Sequence, residues 1–178
     1  MSRLRHLTVR TIGATLALIT LGGVVRASGA GLACPDWPLC HGRLIPPLQG
    51  LLLIEYSHRL VASVVGLLTL LLLVTIWRRH RKEAALLRWG FLAGVLLAAQ
   101  IILGGLTVRT ELTAGLVAAH LGTAVAFLTT LLLLYASAWR RDCGTLPAPA
   151  GLRVTAPLAA VVAFGQIVLG GYVSGSGA

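Results

Sequence analysis

The sequence predicts an all-α membrane protein: a four-helix transmembrane bundle plus a fifth transmembrane helix that begins a repeated second bundle. The first observation is composition, because 57% of the 178 residues are hydrophobic, 11% are charged and the mean hydropathy is +0.88. A soluble domain with this composition would have too little polar surface to face water. The second observation is five apolar stretches, each near the roughly 20 residues that cross a hydrocarbon core. The third is a sequence pattern repeated in the odd-numbered stretches.

The five predicted spans follow one another along the whole chain. The first span contains Arg10, whose long side chain can reach the membrane surface. A cleaved signal peptide is the alternative for this segment, because Arg3 and Arg5 precede the apolar run. The run ends in Gly-Gly-Val-Val-Arg at 22–26 instead of a small-residue cleavage site, which favours a retained helix. The predicted spans are residues 7–25, 53–76, 86–108, 114–138 and 154–173.

The positive charge is concentrated on one side of the predicted spans. The net charge is +10, with 15 Lys and Arg residues against 5 Asp and Glu residues. If the spans alternate in direction, 11 of the 15 basic residues share the side of the N-terminus, and the positive-inside rule places that side in the cytoplasm. The charge therefore indicates topology in a cell membrane and not nucleic-acid binding. The basic residues of the external side are Arg26, Arg43, Arg59 and Arg109.

The external loop between the first two spans contains two cysteines. Cys34 and Cys40 face an oxidising compartment in this topology, where disulfides persist. Pro35 and Pro38 favour a turn that brings the cysteines within disulfide distance. We predict a disulfide that either staples the loop or exchanges electrons with a partner. Cys143 lies on the cytoplasmic side and is predicted to be a free thiol.

An internal repeat relates the odd-numbered spans. The pattern Gln-Ile-Ile-Leu-Gly-Gly at 100–105 recurs as Gln-Ile-Val-Leu-Gly-Gly at 166–171, and Leu-Gly-Gly at 21–23 marks the same point in the first span. Gly22 and Gly170 begin the matching ends of the first and fifth spans. Their separation of 148 residues is the expected length of one four-helix unit.

The repeat predicts two domains. Residues 1–145 form a four-helix transmembrane unit, and residues 146–178 form the first helix of a second, incomplete repeat. In this interpretation the sequence stops at Ala178, where the counterpart of the cysteine loop would begin. Another chain would then supply any second half that the function requires.

Two histidines lie at similar depth in the second and fourth spans, which run in the same direction. His58 and His120 are each five or six residues from the external end of their span, within about 10 Å of the external surface. An imidazole is costly to place in hydrocarbon, and haem iron is the first candidate for a ligand of such a pair. Small residues nearby leave room for a flat macrocycle, although close helix packing also explains them. We predict neighbouring helices whose histidines share one porphyrin iron.

Glu55 lies one helical turn from His58, on nearly the same face of the second span. Its carboxylate has three possible roles: a hydrogen bond to the histidine ring, proton transfer in catalysis, or an ion pair with Arg59 that has no chemical role. Glu-x-x-His also occurs in di-iron carboxylate bundles. Those sites use two copies of the motif and two further glutamates, whereas this sequence has one copy.

These motifs together resemble the haem A synthase family. They are the cysteine loop Gly-Ala-Gly-Leu-Ala-Cys-Pro-Asp-Trp-Pro-Leu-Cys-His-Gly at 29–42, Glu-Tyr-Ser-His-Arg-Leu at 55–60 and Ala-Ala-His-Leu at 118–121. The resemblance covers almost the whole chain. Members of that family typically have eight helices in two similar halves, and they oxidise the C8 methyl group of haem O to the formyl group of haem A. The resemblance implies a membrane oxidoreductase with haem O as substrate in this half and haem B in the other half.

The resemblance also implies roles for individual residues. Glu55 matches the essential acidic residue, His58 and His120 match the haem-iron ligands, and Cys34 and Cys40 match the loop cysteines. The expected partners are haem O, the lipid bilayer and one or more of a haem O synthase, an electron acceptor and a second copy of the chain. The external arginines are candidates to pair with haem propionates, because guanidinium groups bind carboxylates well. In order of expected proximity these candidates are Arg59, then Arg26, Arg43 and Arg109.

Two functions of other classes fit the same residues. A b-type cytochrome would use both histidines to ligate one haem and carry electrons without modifying it. An assembly or transport protein would use the Gly-Gly patterns as packing seams and would bind no haem. The identity of the porphyrin bound to the purified protein distinguishes all three functions.

Overall fold

The computed structural model describes residues 3–144 and 149–176, and it consists of five long helices. All five are long and apolar enough to cross a membrane, which confirms the predicted all-α membrane protein. A short 3-10 turn at Ala30–Leu32 follows the first helix. The helices are α1 (Arg3–Ala27), α2 (Gly50–Arg79), α3 (Ala84–Arg109), α4 (Ala114–Cys143) and α5 (Ala150–Ser176).

The helices extend beyond the apolar spans predicted for them. The helix α2 begins at Gly50 and ends at Arg79, and α4 continues to Cys143. The additional C-terminal turns of α2 and α4 carry arginines, because a helix continues through the interfacial region where hydropathy no longer marks it. The predicted domain boundary between residues 145 and 146, and the final residue 178, lie outside the described residues.

The first four helices form a closed ring. Each packs against the next along the chain, and α4 packs back against α1. The helices α2 and α4 are therefore diagonal, with at most a marginal contact over the part of the chain that the structure describes. The prediction that they are neighbours is wrong, because consecutive helices pack side by side as antiparallel neighbours, which leaves the parallel helices diagonal. The helix α5 packs on the outer face of α4 and is exposed along most of its length.

The hydrophobic core occupies one half of the bundle. Its buried cluster lies toward the end that carries the N-terminus of α1, which we call the basic end. On α2 the cluster begins at Val65, and on α4 it begins at Phe127. Each of these residues lies seven positions, about 10 Å, beyond the histidine of its helix. The half that contains His58 and His120, which we call the loop end, therefore lies outside this core.

Candidate functional site

Each histidine lies against a glycine of the preceding helix. A Cβ atom built on Gly22 of α1 would be 3.1 Å from Cε1 of His58, and one on Gly104 of α3 would be 3.4 Å from Cε1 of His120. Any larger side chain at these positions would compete with the imidazole for space. The glycines therefore allow both rings to lie close to the neighbouring helix backbone.

This arrangement gives the Gly-Gly repeats a role that the sequence did not reveal. In each helix pair, the first glycine of the motif faces the histidine of the next helix. The second glycines differ, because a Cβ atom built on Gly23 has no heavy atom within 4 Å, whereas one built on Gly105 would be 3.2 Å from the Trp37 ring. The signal in the sequence is a Gly-Gly pair in the helix that precedes each histidine-bearing helix.

The histidine rings are half-buried and lack protein partners for one nitrogen each. The Nδ1 atoms of His58 and His120 are buried without a hydrogen bond to any described residue, although the Leu18 carbonyl lies near the His58 ring. Buried polar nitrogens are normally satisfied, so a pair without partners is an incomplete site. Two imidazoles beside glycine gaps fit the ligand set of an iron porphyrin.

Gln100 connects α3 to α4, the helix that carries His120. Its side-chain Nε2 donates a hydrogen bond of 2.8 Å to the backbone carbonyl of His120. This bond ties α3 to α4 at the level of the histidine. The same Gln-x-x-x-Gly spacing recurs at Gln166 in α5, where the sequence repeat places a counterpart.

Glu55 holds the cysteine loop, and among the described residues its carboxylate bonds to Cys34 and Arg59 and not to the His58 ring. Its side chain is buried, with the residue 3% exposed. One carboxylate oxygen accepts a hydrogen bond of 2.7 Å from the backbone N–H of Cys34. The other oxygen pairs with the Arg59 guanidinium at 2.5 Å. Of the roles considered for Glu55, the structure contains the ion pair and adds an anchor for the loop.

Arg59 is fully engaged by the same loop. Its guanidinium donates to the backbone carbonyls of Asp36, Leu39 and Cys34, each at 2.8 Å, as well as to Glu55. A planar guanidinium supplies several donors in a fixed geometry, which suits this clamp. These contacts compete with any haem propionate, so Arg59 is a weaker candidate for that role than its nearness to His58 suggests.

The cysteine loop closes over the end of the bundle. Cys34 and Cys40 are joined in a disulfide with a Cα–Cα distance of 4.7 Å, and both residues are buried. Burial of the sulfurs favours the structural staple over redox exchange, which requires access. Trp37 packs on Gly105 of α3, so the loop also contacts the helix that precedes His120.

Asp36 organises the tip of the loop. Its carboxylate accepts backbone hydrogen bonds from Gly42 at 2.8 Å and from His41 at 2.5 Å. These bonds, with the Gly42 bond first, hold the pKa of Asp36 below its usual value of 3.8. The loop is thus fixed at its tip by Asp36 and at its base by Glu55.

The other arginines of this end are exposed. Arg43 and Arg109 keep exposed side chains near the loop end. Arg26, at the end of α1, donates to the backbone carbonyl of Ser174 in α5. At the opposite end, Cys143 is a free thiol, as predicted, and its sulfur accepts a hydrogen bond of 3.2 Å from Arg5.

Comparison with known proteins gives one consistent family. The model of the COX15-CtaA family, described as cytochrome oxidase assembly protein, matches residues 5–52 and 48–178. The chain is 37% identical to a heme A synthase of an Exiguobacterium species over 70% of its own length and 42% of the relative. It is 39% identical to the Lysinibacillus sphaericus heme A synthase over 73% of its length and 44% of the relative. The match to the Shewanella oneidensis heme A synthase is 33% identical and covers 92% of this chain and 54% of the relative. The chain therefore spans about half the length of these relatives.

Proposed function

This chain belongs to the COX15-CtaA family, and on that premise we propose that it binds haem O in the membrane and oxidises the C8 methyl group to the formyl group of haem A. The proposal is supported by similarity to proteins named heme A synthase. The structural observation that carries it is the pair of half-buried imidazoles, His58 and His120, each set against a glycine and each with one buried nitrogen lacking a described protein partner.

In this proposal the two histidines hold the porphyrin at the loop end. Bound haem supplies the iron and the oxidisable methyl group, while the protein supplies position, proton transfer and exclusion of water. Because His58 and His120 come from diagonal helices, a ligand between them would lie in the interior of the ring. The hydrophobic core begins about 10 Å away along both helices, which leaves this half free of large buried apolar side chains.

Proton transfer is the role we propose for Glu55. With water as the source of the oxygen atom, conversion of a methyl group to a formyl group (R–CH3 + H2O → R–CHO + 4 H+ + 4 e−) releases four electrons, which pass to the electron acceptor proposed below, and four protons, so the site needs a proton acceptor near the substrate. Glu55 is one turn from His58 and is ionisable. Its hydrogen bonds to Cys34 and Arg59 also fix the loop that covers this end. In this proposal the same carboxylate holds the loop over the site and accepts protons from the substrate.

Propionate binding is assigned to the exposed arginines. Arg26, Arg43 and Arg109 lie at the loop end with exposed side chains, where a porphyrin carboxylate can reach them. Arg59 is a secondary candidate because the loop carbonyls already occupy its guanidinium.

We also propose the orientation that charge predicts, with the N-terminus in the cytoplasm and the disulfide loop outside. Cys143 provides a direct test, because it is the free thiol at the basic end. A membrane-impermeant maleimide applied to intact cells should leave Cys143 unmodified, whereas the same reagent should modify it in permeabilised cells. Labelling in intact cells at the permeabilised level would reverse the orientation.

Several partners are proposed on the family resemblance alone. They are a haem O synthase that supplies the substrate, an electron acceptor, and a second four-helix unit that carries haem B. That unit would come from sequence outside these 178 residues or from a second copy of the chain. The division at residues 145 and 146 into a four-helix unit and the start of a repeat belongs to the same proposal.

The deciding experiment identifies the porphyrin bound to the purified membrane protein. The parent protein, produced in cells that make haem O, should yield haem O together with hydroxylated haem O or haem A, as measured by mass spectrometry of the extracted pigment. Glu55→Gln should retain haem O and lose both products, whereas Glu83→Gln at the basic end should behave like the parent. Product formation by Glu55→Gln at the parental rate would remove Glu55 from the chemistry. Recovery of haem B alone would indicate a b-type cytochrome, and a colourless protein would exclude the proposed haem site.

A further inference from the structure

A cavity lies at the basic end, far from His58 and His120. It has a volume of about 590 Å³ and opens between the first turns of α1 and the last turns of α2. Its lining combines cations with apolar side chains. The lining residues are Arg3, His6, Leu7, Arg10, Leu71 and Thr75.

The three basic residues of the cavity share one face of α1. Arg3, His6 and Arg10 follow the spacing i, i+3 and i+7, which places them along one stripe of a helix. All three side chains are exposed. Arg5, in contrast, faces the interior, where it is 6% exposed and lies 4.7 Å from the Trp139 ring. The first turns of α1 therefore carry one inward arginine, Arg5, that the bundle binds, and two outward arginines and a histidine that have no described protein partner.

No protein anion neutralises this stripe within the described residues. Arg3, His6 and Arg10 make no ion pair or side-chain hydrogen bond there, and no described acidic residue lines the cavity. Glu83, whose side chain is described and lies at this end, is already paired with His80 and Arg141. Unpaired cations beside a hydrocarbon region are costly, which favours an anion from outside the chain.

The cavity also has an apolar wall suited to an acyl chain. Leu7 and Leu71 line it from α1 and α2, and the Thr75 hydroxyl donates to the carbonyl of Leu71. Both helices are membrane-spanning segments, so this wall continues into the bilayer. Cationic groups above an apolar groove between transmembrane helices match the chemistry of a phospholipid with an anionic head group.

We propose that this cavity binds the phosphate group of an anionic phospholipid, whose acyl chains run along the groove between α1 and α2. Arg3, His6 and Arg10 surround the phosphate, and Leu7 and Leu71 contact the first methylene groups. The site is independent of haem chemistry, because it lies at the opposite end of the bundle from His58 and His120.

The test measures lipid preference of the purified protein in neutral detergent. Delipidated protein is titrated with phosphatidylglycerol or with phosphatidylcholine of the same acyl chains, and bound lipid is counted by native mass spectrometry. The parent should bind phosphatidylglycerol about tenfold more tightly than phosphatidylcholine, given the attraction of each basic residue for an anionic lipid. The triple variant Arg3→Gln, His6→Gln, Arg10→Gln should lose this preference.

Matched variants separate the cavity from general surface charge. Arg79→Gln, Arg81→Gln and Lys82→Gln together remove three exposed basic residues of the same end outside the cavity, and this protein should keep the parental preference. Leu71→Trp fills the groove without changing charge and should weaken phosphatidylglycerol binding, which tests the site even if the triple variant does not fold. Equal binding of the two lipids by the parent, or an equal loss in both triple variants, would overturn the proposal. Displacement of the lipid by millimolar inorganic phosphate would identify a free anion as the ligand and would also overturn it.

Discussion

Charged residues at the two ends of the bundle have different surroundings. At the loop end, Glu55 and Arg59 are buried or half-buried and are bound to each other and to loop carbonyls. At the basic end, Arg3, His6 and Arg10 line an open cavity without a described protein anion. Glu55 and Arg59 therefore belong to a preformed network at the loop end, whereas Arg3 and Arg10 at the basic end have no described protein partner.

This difference indicates where the protein is preorganised. Buried hydrogen-bonded groups fix the loop end because each unsatisfied group there would be costly. The hydrophobic core is concentrated in the other half, so the histidine region depends on polar contacts and glycine packing for its shape. The predictions below test whether the two ends are as independent as their charges suggest.

The largest effect should come from removing a histidine. His58→Ala or His120→Ala should lower bound haem by at least about tenfold, the smallest loss expected when a metal ligand or its support is removed. His6→Ala at the basic end should leave haem content at the parental level. The measurement is the ratio of the Soret absorbance to protein. Parental haem content in both single loop-end variants would show that the imidazoles do not hold the porphyrin.

The adjacent residues Gly22 and Gly23 provide a matched pair of variants for testing the loop end. Gly22→Val should collide with the His58 ring, because the built Cβ is already 3.1 Å from Cε1, and overpacking of this kind costs about 1–3 kcal/mol. Gly23→Val should be nearly neutral, since no heavy atom lies within 4 Å of its Cβ. Haem content and the thermal unfolding midpoint should fall for the first variant only. Equal behaviour of the two variants would contradict the proposed contact between glycine and histidine.

Removing the Arg59 side chain that holds the cysteine loop should have a smaller effect. Arg59→Gln removes the charged donor to three carbonyls and leaves Glu55 without its cation, at a cost of about 1–3 kcal/mol. Hydrogen exchange of the Cys34 backbone amide should accelerate. Arg43→Gln in the same loop should leave this rate unchanged, because its side chain is exposed. Unchanged exchange in Arg59→Gln would show that the disulfide alone holds the loop.

The smallest effect should be the response of the loop tip to acid. The pKa of Asp36 is lower in the folded loop than its usual value of 3.8, chiefly because the Gly42 N–H bonds the carboxylate. The contribution of Asp36 to stability is therefore present above its unfolded pKa and is lost as the pH falls through the lower, folded value. Exchange of the Gly42 amide, corrected for intrinsic rates, should accelerate in that acidic range. Asp36→Asn should remove this acid dependence, and an identical dependence in the variant would assign it to another group.

The fold class and the identity of the important residues were accessible from sequence because they depend on local properties. Hydropathy over about 20 residues identifies a membrane span, and all five predicted spans are helices in the structure. The disulfide between Cys34 and Cys40 was predictable because the two cysteines are close in sequence and near prolines. The importance of His58 and His120 followed from the rarity of imidazoles in apolar helices.

Contacts between residues far apart in the chain could not be predicted from the sequence in this way. The sequence placed α2 and α4 side by side, whereas the closed ring makes them diagonal. It suggested Glu55 for the histidine ring and Arg59 for a propionate, but both side chains bind the cysteine loop. The hydrogen-bond partners of Glu55 and Arg59 depend on the conformation of the cysteine loop, which the spacing of residues along a helix does not predict.

The sequence by itself determined that this chain crosses a membrane five times as helices and which end carries the positive charge. It also determined which histidines and cysteines are candidates for chemical roles. These properties are sums over neighbouring residues, and the bilayer accepts few alternatives for an apolar segment. Only the tertiary structure decided that Gly22 and Gly104 make room for the imidazoles, that Glu55 and Arg59 fasten the loop, and that two arginines and a histidine share a cavity with no described protein anion. Those outcomes depend on which helix faces meet, and close packing between residues far apart in the chain selects them.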